Sequence, residues 1–179
     1  MARAHFVKSA RKNNPVAKKG ESYYWWAFMQ GGRGGPKRYS KTAPTRSQLT
    51  QSEFCSTLWD LEDRLGDLKA DSYETVADLQ GDIEEIKGDL EGLSSDTQDK
   101  FNNMPDGLQQ GDSGQLLENR SSEVDSLVGE LDGIDFDEPE ELDTEAVKKD
   151  GKEAALKAAV QERCEAIIEE AQGFNWGIE

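Results

Sequence analysis

A long row of apolar residues at helical spacing constrains this chain more than any other feature of its sequence. The row begins at Phe54 and ends at Leu93, and almost all of its members follow one another in steps of three or four residues. That spacing is typical of a helix that buries one stripe. From Leu68 to Val76 the step is eight residues, and we interpret it as a stutter within one continuous helix. The stripe requires a covering partner, because glycines in the same segment weaken an isolated helix.

Capping and breaking residues predict the limits of a helical hairpin. Thr50 and Glu53 have the spacing of a capping box, which predicts that the long helix starts there. Residues 94–111 contain several helix breakers and predict a reversal of the chain. Asp112 is the expected N-cap of a second helix that returns antiparallel along the first. The apolar stripe of that second helix is predicted to consist of Leu116, Leu117, Val124, Leu127, Val128 and Leu131.

The C-terminal part of the chain predicts a linker, a helix and an apolar tail. Residues 133–143 are acidic but lack the spacing of a calcium-binding loop, so we expect a flexible linker. Residues 144–171 predict a helix. Its apolar face is expected to contain Leu156, Val160, Cys164, Ile167 and Ala171. In the tail, Phe174, Trp176 and Ile178 alternate with other residues, which predicts a strand or a hydrophobic plug.

The first 49 residues, which we call the head, contain the β signal of the sequence. Residues 22–29 are crowded with aromatic side chains and predict a strand. The glycine-rich residues 30–36 predict a turn, residues 37–42 a returning strand, and residues 5–8 a further short strand. Strand alternation is expected to place Tyr24, Trp26 and Phe28 on one face and Tyr23, Trp25 and Met29 on the other.

Together these elements predict an α+β fold. We expect a small antiparallel β-sheet head (1–49) joined to an elongated, mostly α-helical, coiled-coil-like body. The body is predicted to comprise a long helical hairpin (50–132) with its reversal near 94–111, the acidic linker (133–143), and the C-terminal helix with its hydrophobic tail (144–179). A hydrophobic content of 35% favours a thin core over a compact one.

Charge is divided very unevenly between the head and the rest of the chain. The net charge is −16, with 21 basic and 37 acidic residues. Eleven of the basic residues and only one acidic residue, Glu21, lie in the head, so its net charge is +10 and that of the remainder is −26. This asymmetry predicts that the head binds either an anionic partner or the acidic body of the same chain. It also predicts a basic partner for the body.

Aromatic residues alternate with cations in the head, a combination that proteins use to bind nucleic acids. We therefore predict a nucleic-acid-binding surface there. An alternative is that the aromatic residues form only a core and the lysines only keep a small domain soluble. The residues predicted to bind are Lys18, Lys19, Tyr23, Trp25, Arg33, Lys37, Arg38, Tyr39 and Lys41.

The carboxylates of the predicted helices could imitate DNA phosphates or bind a basic protein. The alternative is that they are a solvated surface. We predict partner binding by Asp78, Asp82, Glu85 and Asp89, which we call the acidic row.

The sequence predicts neither catalysis nor a metal site nor a cofactor. His5 is the only histidine, and no nucleophile motif, metal-ligand pattern or phosphate-binding glycine loop is present. Cys55 and Cys164 are expected to be buried small side chains rather than a disulfide. No apolar stretch approaches the roughly 18 residues of a membrane span, and the N-terminus lacks a secretory signal, so we expect no membrane partner and a cytosolic location.

Three segments resemble a family of small proteins, of no known activity, encoded by tailed bacteriophages and prophages. The likeness runs from Lys19 through Trp26 to 38–42, continues at 47–50, and returns at 103–109. It implies a phage origin and the cytosol of a bacterial host. The head is also similar, at the level of the fold alone, to the three-stranded arm-binding sheets of phage integrases.

The leading functional hypothesis is a non-catalytic, phage-encoded interaction protein. Its head would contact nucleic acid, and its acidic helices would bind a protein partner or a second copy of the chain. The alternatives are an acidic DNA-mimic inhibitor of a host nucleic-acid-binding or defence complex, and a structural component of the virion.

Overall fold

The computed structural model describes residues 1–30, 33–139 and 151–178, without the side chains of Gln30 and Arg33. It confirms the α+β class, because an antiparallel sheet and several helices are present. The strands are β1 (His5–Val7), β2 (Tyr23–Trp26), β3 (Met29–Gln30), β4 (Arg33–Gly34) and β5 (Arg38–Ser40). The helices are α1 (Glu53–Gly66), α2 (Val76–Asn102), α3 (Asp106–Gln109), α4 (Asp112–Asp132) and α5 (Lys152–Gln172).

The chain forms two compact units. The first unit is Met1–Asp60 and the second is Leu61–Glu179, so that the division falls within α1. None of the helices described is long and apolar enough to cross a lipid bilayer.

The first unit is organised around a three-stranded antiparallel sheet of order β1-β2-β5. Trp25 in the central strand is the register partner of His5 in β1 and of Tyr39 in β5. The expected short N-terminal strand and the returning strand are therefore both confirmed. Trp26, the neighbour of Trp25, is only 4% exposed and anchors the opposite face of the sheet in the core.

The predicted strand over 22–29 was wrong in its length. β2 ends at Trp26, and the chain then enters a separate two-stranded ribbon in which β3 pairs with β4. Pairing with β5 ends where Trp26 meets Arg38, and the Gly35 N–H instead donates to the Phe28 carbonyl at 2.8 Å. Met29 therefore leaves the face that it was expected to share with Trp25 and is 73% exposed.

Helix α1 begins two residues later than the sequence predicted. Ser52 occupies the capping position, where its hydroxyl accepts a hydrogen bond from the Cys55 N–H at 3.3 Å. Thr50 was the wrong choice of cap, because its hydroxyl accepts from the Ser52 N–H, ahead of the helix. A serine at this position satisfies an amide that has no partner within the helix.

The expected continuous helix over 54–93 is also wrong. α1 ends at Gly66, and an extended segment with a 3-10 turn at Ala70–Ser72 separates it from α2. Thr75 has an extended backbone and forms a complete capping box with Asp78. The eight-residue step in the apolar row is therefore a break between two helices, because the capping box starts a new helix where a stutter would continue the old one.

Helices α2 and α4 form the antiparallel pair that the sequence predicted, although α2 extends further than expected. Lys87 contacts Asp132, and Ser94 contacts Ser121, so the two chain directions are opposite. The reversal begins only after Asn102, not at Ser94. Ser94 is buried and its hydroxyl bonds to side chains of α4, which holds the polar end of α2 in a helix.

Two leucines of the predicted stripes lie outside the core. Leu116 in α4 is 41% exposed and Leu156 in α5 is 45% exposed. Val124, Leu127 and Leu131 of α4 are buried as predicted. Asp112 is the first residue of α4, and Gly111 is its N-cap. Spacing alone predicts that these two leucines are buried. The neighbouring helices, however, cover only part of the predicted apolar stripes of α4 and α5.

Residues 133–139 are not the flexible linker that the sequence predicted. Ile134 is buried, and the Arg163 guanidinium donates to the Asp135 carbonyl at 2.8 Å. Glu138 accepts a hydrogen bond from the Val76 N–H at the start of α2. These contacts fix the segment within the second unit. The remainder of the predicted linker, 140–143, and the predicted helical residues 144–150 lie outside the described residues.

The C-terminal tail packs as a plug and forms no strand among its described residues. Trp176 and Ile178 are buried, and α5 contributes Val160, Cys164 and Ile167 to the core. Burial raises the pKa of the Cys164 thiol, and the charges of Glu138 and Asp78 raise it further. Cys55 is only half-buried, so the expectation of two buried cysteines holds for Cys164 alone.

Two leucines on α4 provide a matched test of this core. Leu127→Ala should reduce the free energy of unfolding by about 2 to 5 kcal/mol, because it opens a cavity. Leu116→Ala, on the exposed side of the same helix, should change it by no more than about 0.5 kcal/mol. Urea denaturation followed by circular dichroism measures both. Equal losses for the two variants would contradict the orientation of α4.

The capping box at the start of α2 can be tested in the same way. Thr75→Ala removes the hydroxyl that accepts from the Asp78 N–H and should reduce the free energy of unfolding by about 1 kcal/mol. Thr75→Ser keeps the hydroxyl and is the control, with an expected change of no more than about 0.5 kcal/mol, because serine caps at least as well as threonine. Were Thr75→Ala to be as stable as the wild type, α2 would start elsewhere.

Candidate nucleic-acid interface

One face of the three-stranded sheet collects four aromatic side chains from its three strands. We call His5, Tyr23, Trp25 and Tyr39 the aromatic face. The His5 and Trp25 rings are stacked with centroids 4.5 Å apart, and the Tyr23 and Tyr39 rings are 6.0 Å apart. Tyr23, Trp25 and Tyr39 are half-buried, so each ring presents part of its surface to solvent. The predicted alternation therefore brings these three residues together.

Cations lie beside the aromatic face. The Lys37 ammonium is 4.2 Å from the centroid of the Trp25 ring, a cation–π contact. Lys41 follows β5 directly, and its ammonium lies 3.3 Å from the Glu21 carboxylate. Hydrogen bonding from the Lys18 N–H, followed by the contact with Lys41, lowers the pKa of Glu21. Among the cations whose side chains the structure describes, Lys37 therefore contacts this face directly, and Lys41 is paired with Glu21.

A cavity of about 860 Å³ opens beside Trp25 within the first unit. Aromatic rings of His5, Trp25 and Phe28 line it together with the cations Arg3 and Lys37. The residues that line it include serine, threonine and glutamine from 50–52 but no Asp or Glu among those described. The lack of carboxylates follows from the composition of the head, where Glu21 is the only acidic residue, and it leaves the charges of Arg3 and Lys37 without a carboxylate partner in the described lining.

The remaining predicted residues of the head lie elsewhere. Arg38 is the register partner of Trp26, so it lies on the face opposite to Trp25. Its guanidinium is 5.1 Å from the ring of Phe28, which follows the end of β2 and also lines the cavity. Lys18 and Lys19 are exposed in the loop before β2. Arg33 belongs to the β3–β4 ribbon, and its side chain is outside the described residues. The eight predicted residues whose side chains are described thus divide between the aromatic face and other surfaces.

His5 and Arg3 are among the cavity-lining residues that the sequence prediction missed. His5 and Arg3 come close to Trp25 only because β1 pairs with the distant β2. Only His5 lies in the segment, 5–8, that was expected to form a strand, and nothing local indicates which other strand that segment pairs with.

The acidic row is engaged in contacts within the second unit. Asp78 closes the capping box, and Asp82 accepts a hydrogen bond from the Tyr73 hydroxyl at 2.7 Å. The Arg64 guanidinium bridges the other two members, at 2.9 Å from Glu85 and 2.6 Å from Asp89. Its hydrogen bond with Asp89 raises the pKa of Arg64. All four carboxylates are exposed, yet each has a structural partner, which Glu85 and Asp89 share.

The Tyr73–Asp82 contact predicts a delayed ionisation of one tyrosine. Burial first, and then the hydrogen bond to Asp82, raises the pKa of Tyr73 above its usual value of 10.0. Because the neutral phenol is favoured in the folded chain, its contribution to stability is complete below pH 10 and is lost as the pH rises through the raised pKa. The tyrosinate absorbance of the wild type minus that of Tyr73→Phe should therefore titrate above pH 10.

Asp82→Asn is the control for that titration, because it removes the charge and keeps the shape. The Tyr73 midpoint should move back toward the usual value without reaching it, since burial remains. A midpoint at or below 10 in the wild type would show that this contact does not form in solution.

Among the described residues, no group of three or more His, Cys, Asp or Glu side chains is placed to hold a metal ion. The comparisons with known proteins give no relative, because no family model, no curated protein and no solved structure matches this chain. Function must therefore be inferred from the residues themselves.

Proposed function

We propose that the head binds nucleic acid through the aromatic face and its adjoining cations. The observation that supports this most directly is the contact of Lys37 with Trp25, because it places a phosphate-seeking charge against a stacking surface. His5, Tyr23 and Tyr39 extend that surface across all three strands.

The distribution of charge supports the same proposal. The net charge of +10 in residues 1–49 attracts a polyanion, while the −26 of the remaining residues repels it. A nucleic acid is therefore directed to the head. Lys37 and Arg3 are exposed, and no carboxylate belongs to the described lining of the cavity, so their charges are available to phosphates.

We also propose that the acidic helices bind a protein partner or a second copy of the chain. The internal contacts of the acidic row give no support to DNA mimicry by those four residues. The coiled-coil-like shape of the body, the phage origin and the bacterial cytosol stay predictions.

Salt dependence of binding by the full-length protein tests the proposal. A fluorescently labelled oligonucleotide should bind at low salt, with an affinity that falls steeply as salt rises, since each phosphate that is bound releases counterions. Lys37→Glu combined with Lys41→Glu should weaken binding more than tenfold. It should also reduce the slope of log affinity against log salt by about one for each phosphate that the variant no longer binds. Fluorescence anisotropy measures both quantities.

The matched control is Arg11→Glu combined with Lys12→Glu, which changes the charge of the head by the same amount at exposed positions outside the aromatic face. This control should weaken binding several-fold less than the pair at Lys37 and Lys41. If both pairs weaken binding equally, the attraction belongs to the head as a whole. If the wild type fails to bind at low salt, the proposal is wrong.

A further inference from the structure

We infer that the cavity beside Trp25 receives one unpaired base of a single-stranded nucleic acid, with the adjoining phosphate held by Arg3 and Lys37. This inference rests on the proposed function and assigns a strand class to the same site. Binding of a base in the cavity does not depend on how strongly the other cations of the head bind the phosphate backbone.

The lining of the cavity has the chemistry that such a unit requires. Trp25, Phe28 and His5 provide ring surfaces, and Arg3 and Lys37 provide positive charge. Thr50 and Ser52 add hydroxyl groups at the edge of the cavity, which can donate to or accept from a base edge. The volume of about 860 Å³ lies within the range of cavities that enclose small organic ligands, so one nucleotide is accommodated.

Trp25 already has two neighbours, and this determines how a base can enter. His5 stacks on the ring at 4.5 Å with only 15° between the planes, while Lys37 places its ammonium 4.2 Å from the ring centroid. A base cannot displace His5 easily, because β1 holds His5 in register with Trp25. Lys37 has a flexible exposed side chain, so it can withdraw from the ring.

The withdrawal of Lys37 links the two parts of the ligand. When a base replaces the ammonium on Trp25, the ring exchanges a cation–π contact for aromatic stacking. The same movement frees the ammonium for the phosphate next to that base. Arg3, also at the cavity, supplies a second charge on a planar group that can hold a phosphate through two hydrogen bonds.

A base within a duplex cannot use this cavity. Its two faces are covered by its neighbours in the stack, and it must be unpaired and turned outward to reach a recessed ring. The site therefore predicts selectivity for single strands, which binding of the backbone by surface lysines does not provide.

The test compares two strands of equal length and charge, an oligothymidylate and an abasic strand, bound to the full-length protein at one low salt concentration. The wild type should bind the oligothymidylate about tenfold more tightly, because base stacking contributes that much per base. Equal affinities for the two strands would overturn the inference without the need of any variant. Binding of neither strand would instead overturn the proposed function itself.

Variants then locate the base. Trp25→Leu should weaken binding of the oligothymidylate about tenfold and that of the abasic strand less than twofold, whereas Trp25→Phe should restore most of the difference. Phe6→Leu is the control, because Phe6 contacts Tyr24 on the other face of the sheet and is 58% exposed. A reduction in affinity from Phe6→Leu as large as that from Trp25→Leu would place the base elsewhere. The inference would also be refuted if Trp25→Leu weakened the binding of a duplex as much as the binding of the single strand.

Discussion

Burial of the apolar stripe of α2 is the interaction on which the second unit depends. Val76, Leu79, Ile83, Ile86 and Leu90 are at most 1% exposed, although α2 contains three glycines that disfavour a helix. A Cβ atom added at any of those glycines would meet nothing within 4 Å, so they lie away from the packed side. The helix is therefore held by its contacts with other helices rather than by its own propensity.

The sequence predicted the position of this stripe well, and its continuity poorly. Hydrophobic period identifies which residues of a helix are buried together, as it did for Ile83 and Leu90, but an eight-residue step is compatible with either a stutter or a break. The hydrogen bonds of Thr75 and Asp78 decide between the two. Exposure of Leu116 and Leu156 could not be predicted either, because it depends on how much of each helix its neighbours cover. Such information lies in the packing of distant segments against one another.

The aromatic face was likewise predicted only where local geometry determines it. Alternation along β2 correctly placed Tyr23 with Trp25, and the returning strand added Tyr39, because these relations follow from local geometry. His5 was not included, since its place beside Trp25 results from pairing between segments separated by a long loop. That loop is itself held by short-range bonds, in which the Asn14 side chain accepts from the Val16 and Ala17 amides. Sequence reasoning therefore identified the residues that are brought together by the pairing of β2 with β5, and missed the one contributed by β1.

Charge in this chain is arranged so that the two signs have different roles. In the second unit, Arg64 and Tyr73 satisfy three carboxylates of the acidic row. The exposed ion pairs of Arg64 each contribute no more than about 1 kcal/mol to stability. Because these carboxylates already have partners within the unit, they are less available to a basic partner. In the head, by contrast, Lys37 is held on an aromatic ring, where no carboxylate of the described cavity lining neutralises its charge. A cation kept on a ring loses less solvation than one in a buried ion pair, and it remains available to a phosphate. Under the proposed function, the ring thereby holds the charge of Lys37 in place for a phosphate at little cost in free energy.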